Sequence, residues 1–392
     1  MDYRYESAMP EPSIPAPVDG FCEPRFEPVR EALAGNLRER GEVGAAVSVV
    51  LDGRPVVDIW GGWMDLAGTR PWQRDTLVDV FSAGKPMAAV CVLMLSERGA
   101  VDLDAPVARY WPEFAAHGKG AISVRTLLSH RAGLPGIRRA LPAGAMYDWE
   151  LMVETLAGEE PWWEPGTRHG YHVNTFGFLA GEVVRRAAGE SVGTFFRKEI
   201  AEPLGADFHF GVGAEEDPRI AEFTFGDVAS PDETDAPLEA LQVYMNPPGV
   251  SGVGGTVNTR AWRAAVMPST NGHATARALA AVYSALIGGA HDTGRTLLRQ
   301  ETLDDAIAEA SAGPDAVLGR PSRFGLGFQL TQPERPLGPN PRAFGHFGAG
   351  GSLGFADPDT GLAFGYVMNG SGPRWQNPRN HALLEAVFSS LG

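Results

Sequence analysis

The spacing of apolar residues divides the chain into two strand-rich ends and a helical middle. Near the start, helical spacing precedes two short apolar runs that flank an Asp-Gly turn, a pattern typical of a β-hairpin. Alternating, strand-like runs return only after residue 322. The predicted strands are 46–51, 55–60, 324–330, 343–348, 352–357 and 362–368. The predicted helices are 26–40, 82–99, 148–157, 176–188, 192–200, 274–287, 301–312 and 380–391.

Strands at both ends of a chain share one core only if the ends meet in the same sheet. The predicted fold is therefore of the mixed α/β (α+β) class: an antiparallel sheet flanked by helices, with an inserted, mainly helical domain. Residues 26–100 and 322–392 are predicted to form the sheet domain, 101–321 the helical domain with long loops, and 1–25 an N-terminal arm. The 211–260 segment, rich in Gly, Pro and acidic residues, is predicted to consist of loops.

Composition and charge limit the classes of partner. The chain has 392 residues, 44% hydrophobic and 21% charged, as is usual for a soluble globular protein. A net charge of −15 argues against nucleic acid and anionic membranes as partners, and no apolar run reaches the roughly 18 residues of a membrane span. Two cysteines are too few for a disulfide framework. The N-terminus lacks the basic-then-apolar pattern of a secretory signal, so a cytoplasmic location is expected; the oligomeric state stays open.

The first candidate catalytic stretch has Ser82 three residues before Lys85, and a long apolar, helix-forming run follows Lys85. A helix that begins near Ser82 puts both side chains on one face of its first turn, where unpaired backbone N–H groups can also stabilise an oxyanion. Only three of the 33 basic residues are lysines. Because lysine can lose its proton when desolvated and arginine cannot, the pair indicates a nucleophile and its base. The alternative is a capped helix start with a snorkelling lysine.

Two further stretches combine reactive side chains with glycine and proline. The first, 162–177, is a loop dense in Trp, His and Tyr that leads into a helix. The second, 345–351, is a glycine-rich strand end in which missing side chains let the backbone approach a ligand closely.

Three motifs together resemble the serine β-lactamase/penicillin-binding protein superfamily, and most closely its class C β-lactamases and family VIII carboxylesterases. They are Ser82-x-x-Lys85, the W-x-P-G-T-x-x-x-Y loop that ends at Tyr171, and the late His346-x-Gly348 strand. The Leu-Leu-Ser-His-Arg-Ala-Gly-Leu-Pro run at 127–135 adds to the resemblance, which covers roughly residues 25 to 390.

The resemblance implies a β-lactamase/transpeptidase-like fold and a role for each matching residue. Ser82 is implied to be the acylated nucleophile, with Lys85 and Tyr171 as its base system; which of the two takes the proton stays open. The backbone N–H groups of Ser82 and Ala349 are implied to form the oxyanion hole. No cofactor is implied. The implied substrate-binding residues are His346, Gly348, His172 and Trp163, although His172 could instead tune Tyr171 or simply pack, and Trp163 could be core.

Two departures from the class C pattern favour the esterase branch. Class C enzymes carry Tyr-x-Asn, whereas here Asn174 is the third residue after Tyr171. Their late Lys-Thr-Gly motif is His346-Phe347-Gly348 here, which removes the lysine that binds a β-lactam carboxylate. The implied function is a serine esterase acting on a small-molecule ester. The alternatives are an acyltransferase with the same residues, a β-lactamase or D-amino peptidase, and a catalytically retired binding protein.

Two other candidate sites are weaker: Ser352 as a nucleophile, and His169 with His172 as metal ligands. Ser352 lies in a G-x-S-x-G sequence, but the nucleophile elbow of α/β-hydrolases needs a following helix, and here a strand runs into a turn. We therefore predict a glycine-rich strand that lines the pocket. His169 and His172 have metal-like spacing without a third ligand nearby, so no metal site is predicted.

Overall fold

A computed structural model describes residues 17–225, 238–252, 254–289, 294–372 and 375–392. Its strands are β1 Asp19–Cys22, β2 Gly44–Leu51, β3 Arg54–Gly62, β4 Val78–Asp79, β5 Phe208–Phe210, β6 Gly272–Ala274, β7 Ser311–Pro314, β8 Pro321–Phe324, β9 Gln329–Leu330, β10 Phe344–Phe347, β11 Leu353–Asp357 and β12 Leu362–Met368. Its α-helices are α1 Glu27–Glu39, α2 Lys85–Glu97, α3 Val124–Leu128, α4 Trp149–Gly158, α5 Phe176–Ala188, α6 Val192–Phe196, α7 Glu202–Leu204, α8 Leu238–Met245, α9 Arg260–Ala264, α10 Ala276–Leu286, α11 Gln300–Ile307 and α12 Pro378–Ser389. None of these helices is long and apolar enough to cross a bilayer.

Within the described residues, one nine-stranded antiparallel sheet joins the two ends of the chain. Its strand order is β1-β3-β2-β12-β11-β10-β9-β8-β7, so β12 from the C-terminal end pairs with β2 from the N-terminal end. In that pair Val49 lies opposite Phe364, and Val47 lies opposite Tyr366. All four side chains are buried because helices cover the sheet. The predicted sheet of mixed origin with flanking helices is confirmed.

Helix α10 packs directly on the backbone of the central strands, against β12, β2 and β11. The contact depends on a glycine, since a Cβ built on Gly365 of β12 would lie 2.1 Å from the Ala276 carbonyl oxygen. A second sheet, with strand order β4-β6-β5, sits apart from the large one. Its strand β4 ends at Asp79 and delivers the chain to Ser82.

The structure corrects the sequence-based boundaries at three places. Asp19–Cys22 forms edge strand β1 within the predicted arm, and it pairs with β3 through backbone groups that leave no mark in the side-chain pattern. Helix α8 lies in the segment predicted as loops, too short for its periodicity to register; residues 226–237 of that segment are outside the described residues. The returning strands begin at Ser311 rather than at residue 322, and α11 ends at Ile307.

Replacing Gly365 with alanine tests the close approach of α10 to the sheet. We expect Gly365→Ala to lower the free energy of unfolding by about 1–3 kcal/mol or more, because the added methyl meets backbone rather than a flexible side chain. Urea unfolding measures the change. The control is Gly158→Ala at the end of α4, where nothing lies within 4 Å of the added Cβ. Equal stability of the two variants would contradict the contact.

Candidate active site

Ser82 lies on a strained turn between β4 and α2. Residues 81–84 form one 3₁₀ turn that runs directly into α2 at Lys85. Phe81 adopts a left-handed conformation with φ of 48°, and its N–H donates to Asp79 Oδ1 at 2.7 Å. A non-glycine residue in this region is held there by its surroundings, here by that hydrogen bond. Both side chains of the pair are buried, Ser82 at 8% exposure and Lys85 at 1%.

The Lys85 amine lies beside the Ser82 hydroxyl in an apolar interior. Lys85 Nζ is 2.9 Å from Ser82 Oγ and donates to the Ser269 carbonyl oxygen at 3.0 Å. Ser269 is itself fixed, because its Oγ accepts the Gly177 N–H at 2.6 Å. Burial lowers the pKa of Lys85 well below its ordinary value of 10.5. A neutral amine in this position can take a proton from Ser82.

Tyr171 completes the cluster. Its ring centroid is 4.9 Å from Lys85 Nζ, and the residue is fully buried. Burial raises the pKa of Tyr171 well above its ordinary value, while the nearby Ser82 hydroxyl opposes that rise. The Tyr171 hydroxyl makes no hydrogen bond of normal geometry to any described residue. The structure therefore brings Ser82, Lys85 and Tyr171 together.

The loop before α5 is braced by His172 rather than left open to a ligand. His172 Nδ1 donates to the Gly170 carbonyl at 2.7 Å, and its Nε2 accepts the Leu134 N–H at 3.1 Å. Burial lowers the pKa of His172 to about 4, so the ring is neutral. Trp163 lies edge-on to His172, with ring centroids 6.2 Å apart. Because both nitrogens of His172 have backbone partners, the geometry favours bracing over the predicted contact of His172 with substrate.

His346 faces the cluster from β10. Its ring centroid is 5.8 Å from that of Tyr171. Nδ1 donates to the Phe347 carbonyl at 2.6 Å, while Nε2 has no partner among the described residues. Burial lowers the pKa of His346 well below its ordinary value. His346, which the sequence analysis predicts to stand in place of the class C lysine, is therefore neutral.

The end of β10 lies against the backbone that leads to Ser82. A Cβ on Gly348 would be 2.2 Å from the Val80 carbonyl oxygen, so only glycine allows this approach. Ser352 Oγ donates to the same carbonyl at 2.9 Å and is fully buried. Ser352 thus joins the glycine-rich turn to the segment that leads to Ser82. Ala349, the second predicted oxyanion donor, directly follows Gly348 on that turn.

Sequence reasoning missed three residues that contact the cluster. Besides Ser269, they are Phe324, whose ring stacks on Tyr171 at 5.8 Å with an interplanar angle of 1°, and Asp315, which accepts the Tyr171 N–H. Asp315 lies in a Pro-Asp-Ala turn, and that local signal predicts a turn without showing what the carboxylate reaches.

Among the described residues, His169 and His172 are not part of a cluster of side chains that could bind a metal ion. His169 Nε2 lies 2.9 Å from Ser322 Oγ. Across the described ranges, no group of three or more His, Cys, Asp or Glu side chains could hold a metal ion.

Comparison with known proteins places this chain in a family. The profile of the Beta-lactamase family matches residues 29–388. The chain belongs to the Beta-lactamase family. The esterase/beta-lactamase LipL of Mycobacterium tuberculosis (strain ATCC 25618 / H37Rv) is 37% identical over 382 residues, which cover 94% of this chain and 87% of LipL.

Two solved structures extend the comparison across nearly the whole fold. The crystal structure of a family VIII carboxylesterase is 40% identical, with a TM-score of 0.88, covering 95% of this chain and 99% of its own. EstA from Arthrobacter nitroguajacolicus Rue61a is 34% identical, with a TM-score of 0.85, covering 95% and 98%. The β-lactamase-like fold is therefore established, and these members of the Beta-lactamase family support serine ester hydrolysis at the family level.

The buried amine predicts how the reactivity of Ser82 depends on pH. A lysine amine can accept the proton of a neighbouring hydroxyl only when it is neutral, and burial lowers the pKa of Lys85 well below its ordinary value. We expect the rate of Ser82 modification by a fluorophosphonate to be level at neutral and alkaline pH and to fall on acidification, as Lys85 gains its proton. Intact-mass spectrometry at a series of pH values measures this rate.

Two arginine variants control that experiment. Lys85→Arg, which keeps a charge that cannot be lost, should abolish labelling at every pH. Lys198→Arg, on the surface in an ion pair with Glu190, should leave the profile unchanged. A wild-type rate that keeps rising through the ordinary lysine pKa of about 10.4 would contradict a neutral Lys85.

Proposed function

We propose that the chain is a serine esterase that cleaves carboxylic esters of small molecules through an acyl-enzyme on Ser82. The observation that carries the proposal is the Ser82 hydroxyl 2.9 Å from a buried, desolvated Lys85 amine. Membership of the Beta-lactamase family and the esterase relatives support it.

In the proposed reaction, Ser82 Oγ attacks the ester carbonyl as its proton passes to Lys85 Nζ. The carbonyl oxygen becomes an oxyanion, which the N–H groups of Ser82 and Ala349 stabilise. The C–O bond to the alcohol then breaks, and the leaving alkoxide takes a proton from the Tyr171 hydroxyl, which regains one from the Lys85 ammonium, so that the alcohol leaves and the acyl group stays on Ser82. Water attacks the acyl-enzyme in the second half, releasing the acid and restoring Ser82.

The electrostatics favour Lys85 over Tyr171 as the base of the first step. Burial lowers the pKa of Lys85 and raises that of Tyr171, so it favours the uncharged form of both groups. Lys85 then has the lone pair that accepts a proton. Tyr171, whose hydroxyl is free of other hydrogen bonds among the described residues, is placed to pass a proton to the leaving alcohol.

A pre-steady-state assay with a p-nitrophenyl ester tests the acyl-enzyme. We expect a burst of p-nitrophenol equal to the enzyme concentration, and acyl mass on the Ser82 peptide. Ser82→Ala should lose the burst and at least about 10³-fold in turnover, since removal of a nucleophile leaves only binding and oxyanion stabilisation. Ser352→Ala, the control at the rival serine, should still be acylated. Full activity in Ser82→Ala would overturn the assignment and leave a different nucleophile, whereas a wild-type chain with neither burst nor turnover would leave a binding protein.

Hydrolysis of β-lactams is a second candidate, because the 37% identical relative is named an esterase/beta-lactamase. The neutral His346 argues against it as the main activity, since no cation stands at that position to bind the β-lactam carboxylate.

A nitrocefin assay beside the p-nitrophenyl ester separates the two candidates. We expect kcat/KM for nitrocefin to be lower by about 10²-fold or more, the magnitude of a missing charged contact of 2–3 kcal/mol. His346→Lys should raise nitrocefin turnover relative to ester turnover. Efficient nitrocefin hydrolysis by the wild-type chain would reverse the order of the two candidates.

The acyltransferase alternative uses the same residues, because an alcohol then replaces water in the second half of the reaction. Product analysis by mass spectrometry in the presence of alcohols distinguishes it from hydrolysis.

A further inference from the structure

Asp315 is a buried carboxylate whose hydrogen bonds meet at the loop that carries Tyr171. It lies between β7 and β8 and is 3% exposed. Its Oδ1 accepts the backbone N–H groups of Tyr171 at 3.0 Å, Val317 at 2.9 Å and Leu318 at 2.9 Å. Its Oδ2 accepts a hydrogen bond from the Ser322 hydroxyl, with an O–O distance of 2.7 Å. Four hydrogen-bond donors therefore meet at this one side chain, and His169 Nε2 lies 3.9 Å from its Oδ2.

The β7–β8 turn and the Tyr171 loop are joined at more than this one point. The Ala316 N–H donates to the His169 carbonyl at 3.1 Å. Because the Ser322 proton goes to Asp315, His169 Nε2 donates to Ser322 Oγ, 2.9 Å away. A Cβ on Gly170 would lie 3.1 Å from Val317 Cγ2 and 2.6 Å from the Trp163 ring. The two segments are in direct contact, and glycine at 170 permits it.

These contacts matter because the Tyr171 hydroxyl is not anchored by a hydrogen bond of its own among the described residues. The direction of the phenol therefore depends on how its backbone and ring are held. The backbone is held by Asp315, and the ring stacks flat on Phe324 of β8. Both supports come from the same hairpin at the edge of the large sheet.

The same carboxylate oxygen also orders an apolar wall. Val317 and Leu318 are half-buried and pack against the cluster formed by Tyr171, Val173, Val243 and Phe324. Since Oδ1 accepts the N–H groups of both residues and of Tyr171, one atom sets the position of the catalytic phenol relative to this wall.

We propose that Asp315 is a positioning residue, which aims Tyr171 at Ser82 and fixes the Val317–Leu318 wall beside it. This inference rests on the proposed esterase function. A merely structural role is the alternative, because aspartate commonly caps turns by accepting N–H groups two and three residues ahead. The two roles differ in the bond to Tyr171, which a turn cap does not need.

Two substitutions separate these roles. Asp315→Asn keeps the length of the side chain, so its amide oxygen can still accept all three N–H groups. Asp315→Ser keeps a turn-capping hydroxyl near Val317 and Leu318, but its side chain is one bond too short to reach the Tyr171 N–H. The matched control is Asp357→Ser, at a fully buried aspartate that accepts the Asp359 N–H at 3.1 Å and Asn340 Nδ2 at 2.6 Å, in the turn between β11 and β12.

The experiment measures single-turnover acylation of Ser82, together with kcat and KM, for p-nitrophenyl acetate and p-nitrophenyl octanoate. We expect Asp315→Asn to acylate within about fivefold of wild type, because it retains the positioning bonds in neutral form. Asp315→Ser should acylate about 10²-fold more slowly, the effect of a displacement of about 1 Å at a reacting group. In that variant KM should change little for the acetate and rise for the octanoate. Asp357→Ser should acylate like wild type.

The outcomes are distinguishable. Equal acylation rates for Asp315→Ser and Asp315→Asn, with both folded by circular dichroism and urea unfolding, would overturn the inference and leave a turn cap. If Asp315→Ser does not fold, Asp315→Glu replaces it, because its carboxylate lies one bond further from the backbone. We again expect slower acylation, and a rate equal to that of Asp315→Asn would again overturn the inference. If wild-type Ser82 is never acylated, the proposed function fails, whereas wild-type acylation without a difference between the variants removes only the inference.

Discussion

The burial of the Lys85 amine beside Ser82 is the constraint on which the rest of the site depends. Every residue of α2 from Lys85 to Leu95 is buried, and among the described residues the amine has only two acceptors, the Ser82 hydroxyl and the Ser269 carbonyl. A lysine held in this way gives up its charge readily, because the desolvated ammonium has lost its hydration. The surrounding packing has to keep water out without supplying a carboxylate. Gly177 shows how closely α5 must approach, since a Cβ there would lie 2.5 Å from the Ser269 nitrogen.

The groups around Ser82 come from distant parts of the chain, and the large sheet is what collects them. Pairing of β12 with β2 places the C-terminal strands on the N-terminal ones, so that β10 ends beside Val80. On the other side, the β7–β8 hairpin supports the loop of Tyr171. Most of these joints are hydrogen bonds from a side chain to a backbone group, as in Ser352 to Val80. Such bonds add modest stability, but leaving one unmade inside the protein is costly, so they select one arrangement of the segments.

The interior near Ser82 is nearly free of charge. Burial lowers the pKa of His130, His172 and His346, so the three rings are neutral, and it lowers the pKa of Lys85 as well. In a medium of low polarity, backbone N–H groups aimed at a developing oxyanion act more strongly than they do in water. This environment suits an uncharged ester better than a substrate that brings its own carboxylate into the site.

Where the chemistry is local, the sequence by itself determined the outcome. Ser82 and Lys85 are three residues apart on one turn, and the helical period alone places them together. The bounds of α5 and β12 were also predicted to the residue, because the spacing of apolar residues in each of these long segments fits only one type of secondary structure. Short or edge elements such as β1 and β7 were missed, since their pairing uses backbone groups common to all residues. The hydrogen bond from the Tyr171 N–H to Asp315 joins residues 144 positions apart, and the local sequence around either residue does not indicate the other. Only the tertiary structure decided that contact, because register between distant strands is set by packing of the whole core rather than by any local pattern.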